Sequence, residues 1–438
     1  MSTNTVITWC IGGVLLCSSI AGLAADLVQI HEQATLHDPV FRAAAASKQT
    51  AIEALPQNRA LLLPTLTLDA SKSDITQKVL SGSAFLFASE SQGYTLTLRQ
   101  PLFHRDYFVR LAQANTVVAQ AEIEYLAAEQ ALIVRTAQQY FDTLAAQDDL
   151  GFAHAEKNAL ERQLEQTKQR FEVGLIAITD VHEAQAAYDL VSAQTIEAEN
   201  RLSSQYEALH ELTNQYHDKL AKLDAETPLI NPEPAGIEQW SQQALRENLV
   251  LQAAQLNAQT VKNDIKIYQA GHLPQLDLQA SHAYNDSSGG NFGTRETEDR
   301  TVTLQFTLPL YQGGAVNSQI RAAQGRYQQA TAAVEQQRRA TLRQARDGYR
   351  GVLAAIKRVK ALQQAVISAQ SALTATEAGL EVGTRTTVDV LGVRRNLFRA
   401  QRDHARARYD YILNTLRLKH VSGQLQHSDL QQVNRWLH

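Results

Sequence analysis

The chain holds only two cysteines in 438 residues, Cys10 and Cys17, and both lie within its first 25 residues. Beyond them there is no thiol for a disulfide, a thiolate metal site or redox chemistry. Proline is scarce, with 9 residues in all and none between Pro101 and Pro228. That stretch is free of the one residue that removes a helical backbone donor. Aromatic residues make up only 6%, which disfavours a mostly β protein. Positive charge is not in excess, because 41 Lys+Arg face 45 Asp+Glu for a net of −4, and a polycation built for nucleic acid is excluded. After the first 25 residues no run approaches the 18 or more apolar residues of a membrane-spanning helix. A helical membrane protein is therefore not expected.

What is present is a chain that is 44% hydrophobic and 20% charged, with recurring Ala, Gln, Leu and Glu tracts that favour helix. A sizeable packed structure follows from that composition. The apolar stretch of residues 6–20, followed by Ala21, Gly22, Ala24 and Ala25 before Asp26, reads as a cleaved export signal cut near Ala24 or Ala25. Its n-region has no Lys or Arg and relies on the α-amino group for positive charge. Leu16 stands where a lipoprotein signal needs a small residue, so a lipid anchor on Cys17 is not expected.

The mature chain repeats itself at an offset of about 209 residues. Leu63-Pro64-Thr65-Leu66-Thr67-Leu68 matches Leu273-Pro274-Gln275-Leu276-Asp277-Leu278. Gln100-Pro101-Leu102-Phe103 matches Leu308-Pro309-Leu310-Tyr311, and Phe171-Glu172-Val173-Gly174 with Asp180-Val181 matches Leu380-Glu381-Val382-Gly383 with Asp389-Val390. Each unit has one layout: a helix ending at Leu-Pro, a strand pair, a long helix to Val-Gly, and a second helix. The expected division is a signal over 1–25, a first repeat over 26–226, a linker over 227–235 containing Pro228, Pro232 and Pro234, and a second repeat over 236–438.

In the strand segments Leu66, Leu68 and Ala70 alternate with Thr65, Thr67 and Asp69, and Leu96 and Leu98 with Thr95, Thr97 and Arg99. The second unit repeats this with Leu276, Leu278 and Ala280, and with Val302, Leu304, Phe306 and Leu308. Each segment has one apolar and one polar face. Asp286-Ser287-Ser288-Gly289-Gly290 reads as turn chemistry between them. A half-buried sheet in a soluble protein gives the same alternation. Against it stand the export signal, the absence of other strand-rich sequence, and segments of about the 9–11 residues that cross a bilayer when tilted. Four strands cannot close a barrel in lipid, where open edges are forbidden. The chain must share a barrel with copies of itself: two copies would give eight strands and three would give twelve.

From Tyr107 to Phe171 the apolar period becomes helical, with Leu111, Val118, Tyr125 and Leu132 seven apart and Ala114, Ala121 and Ala128 at a second seam position. Ile320, Tyr327 and Val334, with Ala323 and Ala330, answer in the second unit. Small seam residues suit close packing of many helices. Such a helix spans roughly 100 Å at about 1.5 Å per residue, a length fit for a conduit across a periplasm. Gly174 and Gly383 turn each long helix into a hairpin. The return arms differ in charge. Residues 177–213 carry seven acids against Arg201, and residues 386–422 carry eight bases against Asp389, Asp403 and Asp410. Opposite arms alternating around a ring would attract, although solvated helical faces give the same composition.

Chemistry of other kinds is missing. His210-Glu211 is followed by His217 seven residues after His210, where a two-histidine zinc face needs four. Gly289-Gly290 with Gly293 lacks the lysine and the strand-to-helix setting of a phosphate loop. Arg338, Arg339, Arg343, Arg346 and Arg350 form a basic helical stripe best read as solvated. No nucleophile stands paired with a base. The reading is a non-enzyme without metal, cofactor or nucleic-acid partner.

Val173-Gly174-Leu175-Ile176-Ala177-Ile178-Thr179-Asp180-Val181 and Val382-Gly383-Thr384-Arg385-Thr386-Thr387-Val388-Asp389-Val390-Leu391, with the repeat and the Leu-Pro strand entries, resemble the TolC family of bacterial outer-membrane efflux and secretion channels. Gln269-Ala270-Gly271-His272-Leu273-Pro274 and Leu310-Tyr311-Gln312-Gly313-Gly314 are also similar to that family's motifs. The resemblance covers nearly the whole mature chain, from about Asp26 to Gln432. It implies a mainly α fold with a small β part. In it three copies join four strands each into a shared 12-stranded outer-membrane barrel, continued by a trimeric α-barrel tunnel of long helical hairpins. The implied partners are outer-membrane lipid, a periplasmic adaptor, and an inner-membrane transporter of RND, ABC or MFS type.

The implied docking tips are Val173, Gly174 and Leu175 with Val382, Gly383, Thr384 and Arg385. Arg385 matches the family's gating arginine, which bridges to residues matching Thr179 and Asp180, and Asp389 matches the first of two acids ringing the constriction. The second acid's position holds Gly392 and the gating tyrosine's position holds Leu380, while Glu183, one turn after Asp180, offers a second carboxylate ring. The chain ends soon after Leu430, without the long polar tail of some members. The missing lipid-anchor cysteine favours the branch that serves type I secretion as well as efflux. Two alternatives stand beside this reading: a periplasmic adaptor, which should carry a lipoyl-like or β-barrel domain around a single hairpin, and a soluble coiled-coil scaffold, which should leave the membrane without detergent.

Overall fold

A computed structural model describes residues 24–78, 80, 86–224, 227–289 and 293–438. Residues 1–23 of the expected export signal, with Cys10 and Cys17, and Gly290 of the expected turn lie outside the described residues. The chain opens with three short helices, α1 (Leu27–His37), α2 (Pro39–Ile52) and α3 (Ala54–Ala60), before a strand pair, β1 (Thr65–Lys78) and β2 (Leu86–Phe103). The 68-residue α4 (Arg105–Glu172) and the returning α5 (Ile178–Thr213) complete the first half. The second half repeats the order with α6 (Ile237–Glu247), α7 (Leu249–Gln269), β3 (Gln275–Gly289), β4 (Arg295–Thr307), the 67-residue α8 (Ala315–Glu381), α9 (Thr387–Val421) and a final α10 (His427–Asn434).

Matching residues build the matching elements. The Asp38 carboxylate accepts from the Phe41 N–H at 2.8 Å and starts α2, with Pro39 at its first turn. In the second half the Asn248 side chain accepts from the Leu251 N–H at 2.9 Å and starts α7. Each satisfies an orphan donor of the first turn, and proline there loses nothing. Asp38 also meets Arg135 of α4 at 2.5 Å, which fixes the short helices on the long one.

The main core lies where α1, α10 and the segments flanking α6 close on the middle of α4 and the top of α9. Tyr140, Phe141, Trp240, Tyr411, Ile412 and Leu416 are among its buried side chains. Its polar handles are satisfied. The Tyr140 hydroxyl donates to the Ala221 carbonyl at 2.7 Å, Trp240 Nε1 donates to the Pro234 carbonyl at 2.9 Å, and the Tyr411 hydroxyl accepts from Ile230 N–H at 2.8 Å. This girdle also pins the chain's ends, because Ala25 pairs with Leu220 and Leu223 with Leu437.

The four strands form one antiparallel sheet in the order β1-β2-β3-β4, so β1 and β4 are open edges. Its register aligns Leu66 with Leu98, Leu98 with Ala280, and Ala280 with Val302. The alternating apolar residues therefore share one face, and that face has no layer over it. Leu68 is 66% exposed, Val302 76% and Phe306 64%. The opposite face presents Thr65, Thr67, Thr95, Thr97, Gln279 and Thr303.

Two expectations about the sheet need correction. The strands run 13 to 18 residues, longer than the 9–11 expected, and Asp286-Ser287-Ser288-Gly289 belongs to β3 opposite Gln92, Ser91, Glu90 and Ser89 instead of forming a turn. Past Ala70 and Val302 both faces become mostly polar, Ile75 apart, so the backbone ladder continues where the alternation that marks a half-buried strand has stopped. Tyr94 and Tyr284 stack at 5.8 Å at that border. From Leu276 to Tyr284 is about 27 Å along the strand, or roughly 20 Å of depth at the tilt usual for membrane barrels. Leu308, expected in the last strand, lies beyond the end of β4.

Candidate functional site

The two hairpin tips are built by the same backbone device. After α4 the Gly174 N–H donates to the Phe171 carbonyl and the Leu175 N–H to the Arg170 carbonyl, both at 2.9 Å. After α8 the Gly383 N–H donates to Leu380 at 3.2 Å and the Thr384 N–H to Gly379 at 2.8 Å. Gly174 has φ +78 and Gly383 φ +77, a left-handed conformation that closes a helix end and that side chains resist. Each turn thrusts apolar residues into solvent: Val173, Leu175 and Val382 are exposed. A spread of apolar side chains at the far end of a helix roughly 100 Å long has no stabilising role inside the chain. It suits a protein partner.

The chemistry past each turn differs. In the second hairpin Thr386 and Asp389 form a capping box. The Asp389 carboxylate accepts from the Thr386 N–H at 2.9 Å and its hydroxyl at 3.0 Å, and the Asp389 N–H donates to the Thr386 hydroxyl at 3.2 Å. These bonds, then the nearby Arg385 guanidinium, hold the partly exposed Asp389 carboxyl below the usual carboxylate range. Asp389 is thus a fixed, ionised charge at the tip. In the first hairpin Ala177 stands in the cap position and makes no side-chain bond, so Asp180 lacks the partner that orients Asp389. Arg385 is exposed, and its N–H donates to the Gly379 carbonyl at 3.1 Å. A Cβ on Gly379 would come within 2.7 Å of the Arg385 side chain. Gly379 leaves the room in which the arginine stem crosses the helix end. Its counterpart in the first repeat is Arg170, so the repeat comparison marks this site although motif reading passes over it.

The chain brings Arg385 and Asp389 together on one tip and leaves Thr179, Asp180 and Glu183 on the other. Among the described residues no ion pair or side-chain hydrogen bond joins the two sets within one chain. Gly392 is partly exposed in the second turn of α9, and Leu380 packs on the small cluster of Leu373, Val390 and Leu397.

Further up, charged pairs line the contact between the hairpins. Arg406 of α9 meets Asp142 of α4 at 2.8 Å, and within the second hairpin Arg394 meets Glu377 at 2.6 Å. Arg402 lies 3.8 Å from the buried Glu156, whose carboxyl is pushed up by burial against the pull of Arg402, Arg395 and Arg399. At the junction of sheet and helices Asp277 meets Arg99 at 3.3 Å and His104 at 3.1 Å, and the His104 ring stacks on Tyr107 at 4.5 Å. This clasp escapes sequence reading because 173 residues separate His104 from Asp277. The His210 ring stacks on Tyr216 at 4.0 Å, a packing role. The stripe of Arg338, Arg339, Arg343, Arg346 and Arg350 faces Glu335, Asp347 and Glu238 in exposed pairs.

Comparison with known proteins gives these features a context. The profile of the outer membrane efflux protein family matches residues 30–215 and 240–424. The outer membrane protein TolC of Vibrio cholerae is 39% identical over 426 residues, which cover 96% of this chain and 95% of that one. The alkaline protease secretion protein AprF of Pseudomonas aeruginosa is 29% identical, with 99% of this chain and 92% of AprF covered. Among solved structures, the outer membrane protein VceC of Vibrio cholerae superposes with a TM-score of 0.73 at 23% identity, over 91% of this chain and 96% of VceC.

Proposed function

The chain belongs to the outer membrane efflux protein family, and from that premise we propose how this member works. It is an outer-membrane exit channel. The observation that carries the reading is the sheet: one mostly apolar face without a covering layer, interrupted where His282 stands opposite Arg300, and two unpaired edges. In water that face would aggregate, and in lipid the edges would leave backbone donors and acceptors unpaired. Lipid around a barrel shared among copies satisfies both. Three copies close twelve strands around a lumen of hydroxyl and amide side chains, and their long hairpins continue the passage through the periplasm.

In this reading the hairpin tips are the periplasmic entrance. Arg385 of one copy faces Asp180 and Thr179 of the next, Asp389 sets a ring of negative charge, and Glu183 adds a second ring in place of the acid that Gly392 lacks. Such charge-assisted bonds are directional, and a few of them repeated by symmetry hold a closed ring that a docking partner can open. The exposed tips Val173, Gly174, Leu175, Val382, Gly383 and Thr384 receive a periplasmic adaptor, and an inner-membrane transporter of RND, ABC or MFS type supplies the substrate. The relationship to AprF supports service in protein secretion beside efflux. The protein is a conduit and not an enzyme. Residues 1–25 are read as its signal, 26–226 and 236–438 as its two repeats, and 227–235 as the linker.

Light scattering of the detergent-solubilised protein tests the assembly. The expected protein mass is that of three mature chains, released from membranes only by detergent. A single-chain mass, with release by alkaline carbonate alone, would support the soluble scaffold instead.

A further inference from the structure

Within the chain the long helices lie side by side in the order α5, α4, α9, α8, so α5 and α8 are the outer edges of the tunnel segment as β1 and β4 are of the sheet. These two edges carry opposite charge. Residues 177–213 hold seven acids against Arg201, and residues 338–360 hold eight bases against Asp347. The α9 arm, the partner expected for α5 from composition, is largely engaged inside the chain. Its Arg402 and Arg406 meet Glu156 and Asp142 of α4, and its Arg394 meets Glu377 of α8.

We propose that the subunits join along an antiparallel seam in which Glu207 and Glu211 on α5 of one copy pair with Arg350 and Lys357 on α8 of the next. The seam rests on the trimer reading above and specifies how that ring closes. At about 100° per residue, Glu207 and Glu211 lie opposite the α5 residues buried against the rest of the chain, Val191, Thr195, Ala198 and Leu209. Arg350 and Lys357 likewise lie opposite Val352, Ala355 and Val359 of α8. All four charged residues are exposed. Among the described residues Lys357 and Glu211 have no ion partner, and Arg350 reaches only the exposed Asp347, at 3.8 Å.

The heights place Arg350 level with Glu207 and Glu211, and Lys357 about 8 Å below Glu207. At about 1.5 Å per residue from the tip, Glu207 and Glu211 stand roughly 44 and 50 Å up α5, and Arg350 and Lys357 roughly 47 and 36 Å up α8. Below them the same faces carry Ala193 and Asn200 on α5 and Ala361, Gln364 and Ser368 on α8, small or neutral residues that let two helices approach closely. A rotation that pairs β4 with the next copy's β1 also brings α8 to the next copy's α5. The interface is then continuous and heterologous, and it closes because the operation is a rotation. Like edges would repel, so the charge pattern selects the head-to-tail arrangement over a two-fold pair.

The test uses the full chain in detergent. Asn200→Cys combined with Ala361→Cys, at roughly equal heights of 33 and 30 Å, is treated with a short bismaleimide and run on a denaturing gel. Covalent dimers and trimers from the double variant, and from neither single variant, are expected. Failure to form them while light scattering still reports three copies would overturn the seam and leave the trimer standing. A single-chain mass would overturn both. In a second arm, Glu207→Arg with Glu211→Arg should lower the temperature at which trimers dissociate in mild detergent. Adding Arg350→Glu and Lys357→Glu should restore it. No loss, or no restoration, would refute the charge pairing.

Discussion

At the residue scale the tip carries two charges with different degrees of freedom. Asp389 is held by the Thr386 hydroxyl and N–H and stays ionised, whereas Arg385 is exposed and free to reach a neighbouring copy. In the proposed ring, three such carboxylates at a narrow entrance would favour cations, because low-dielectric walls strengthen their field. Asp389→Asn keeps the shape and removes the charge, so the reversal potential in a salt gradient should move toward zero; no shift would remove Asp389 from the conduction path. A separate residue sets a pH limit. His31 is buried against the His427 ring at 5.4 Å, and burial, with help from His427, lowers its pKa to about 4. Below pH 6.5 the unfolded chain takes up a proton that the folded chain refuses. Stability therefore falls as pH drops from 6.5 to about 4 and stays lost below, by on the order of 2–3 kcal/mol. His31→Leu should flatten that part of a pH-denaturation curve, and an unaltered slope would contradict the assignment. The part of Arg385 and Asp389 in a gate is the proposal above, but their place on the second hairpin tip was legible in the sequence because the repeat and the family motif point to it. Gly379 was not, because its contribution is room for Arg385, and neither was the clasp of His104 on Asp277, which depends on contacts between distant segments.

At the element scale the repeat and its long helices were readable closely, whereas the single helix expected before each strand pair is divided, into α1, α2 and α3 in the first half and α6 and α7 in the second, and α10 was not expected. With no proline to interrupt it, α4 runs from Arg105 to Glu172, two residues earlier and one later than the apolar period alone indicates. The strands were legible only where one face is apolar. Beyond Tyr94 and Tyr284 both faces are mostly polar, the period-two signal vanishes, and a paired strand reads as a turn. The two hairpins also differ in a way that composition hides: Thr386 caps α9 and Ala177 leaves α5 uncapped. Thr386→Ala should weaken the start of α9 by about 1 kcal/mol, seen as faster hydrogen exchange at residues 387–391 with the trimer intact. Unchanged exchange would show that the first turn of α9 is held by its packing and not by the box.

At the scale of the whole molecule, the described chain is unfinished by itself. Its sheet has two open edges and an uncovered apolar face, its tunnel segment has an acidic edge and a basic one, and Arg385 makes no ion pair at its own tip beyond its through-space pull on Asp389. In the proposed assembly each is completed by another copy of the same chain, and strand alternation alone left the number of copies open between two and three. The family relationship adds the outer membrane and the exit pathway, and in the proposed reading the tips are where that pathway closes. The central claim is a pore that rests nearly shut at those tips. Single-channel current in a planar bilayer, recorded for the wild-type chain and for Arg385→Ser, tests it most directly. The account predicts discrete, long-lived steps of small conductance for the wild type and clearly larger steps for the variant. Equal conductance would remove Arg385 from the gate, and no current from protein shown to be trimeric and inserted would contradict a pore that conducts at rest.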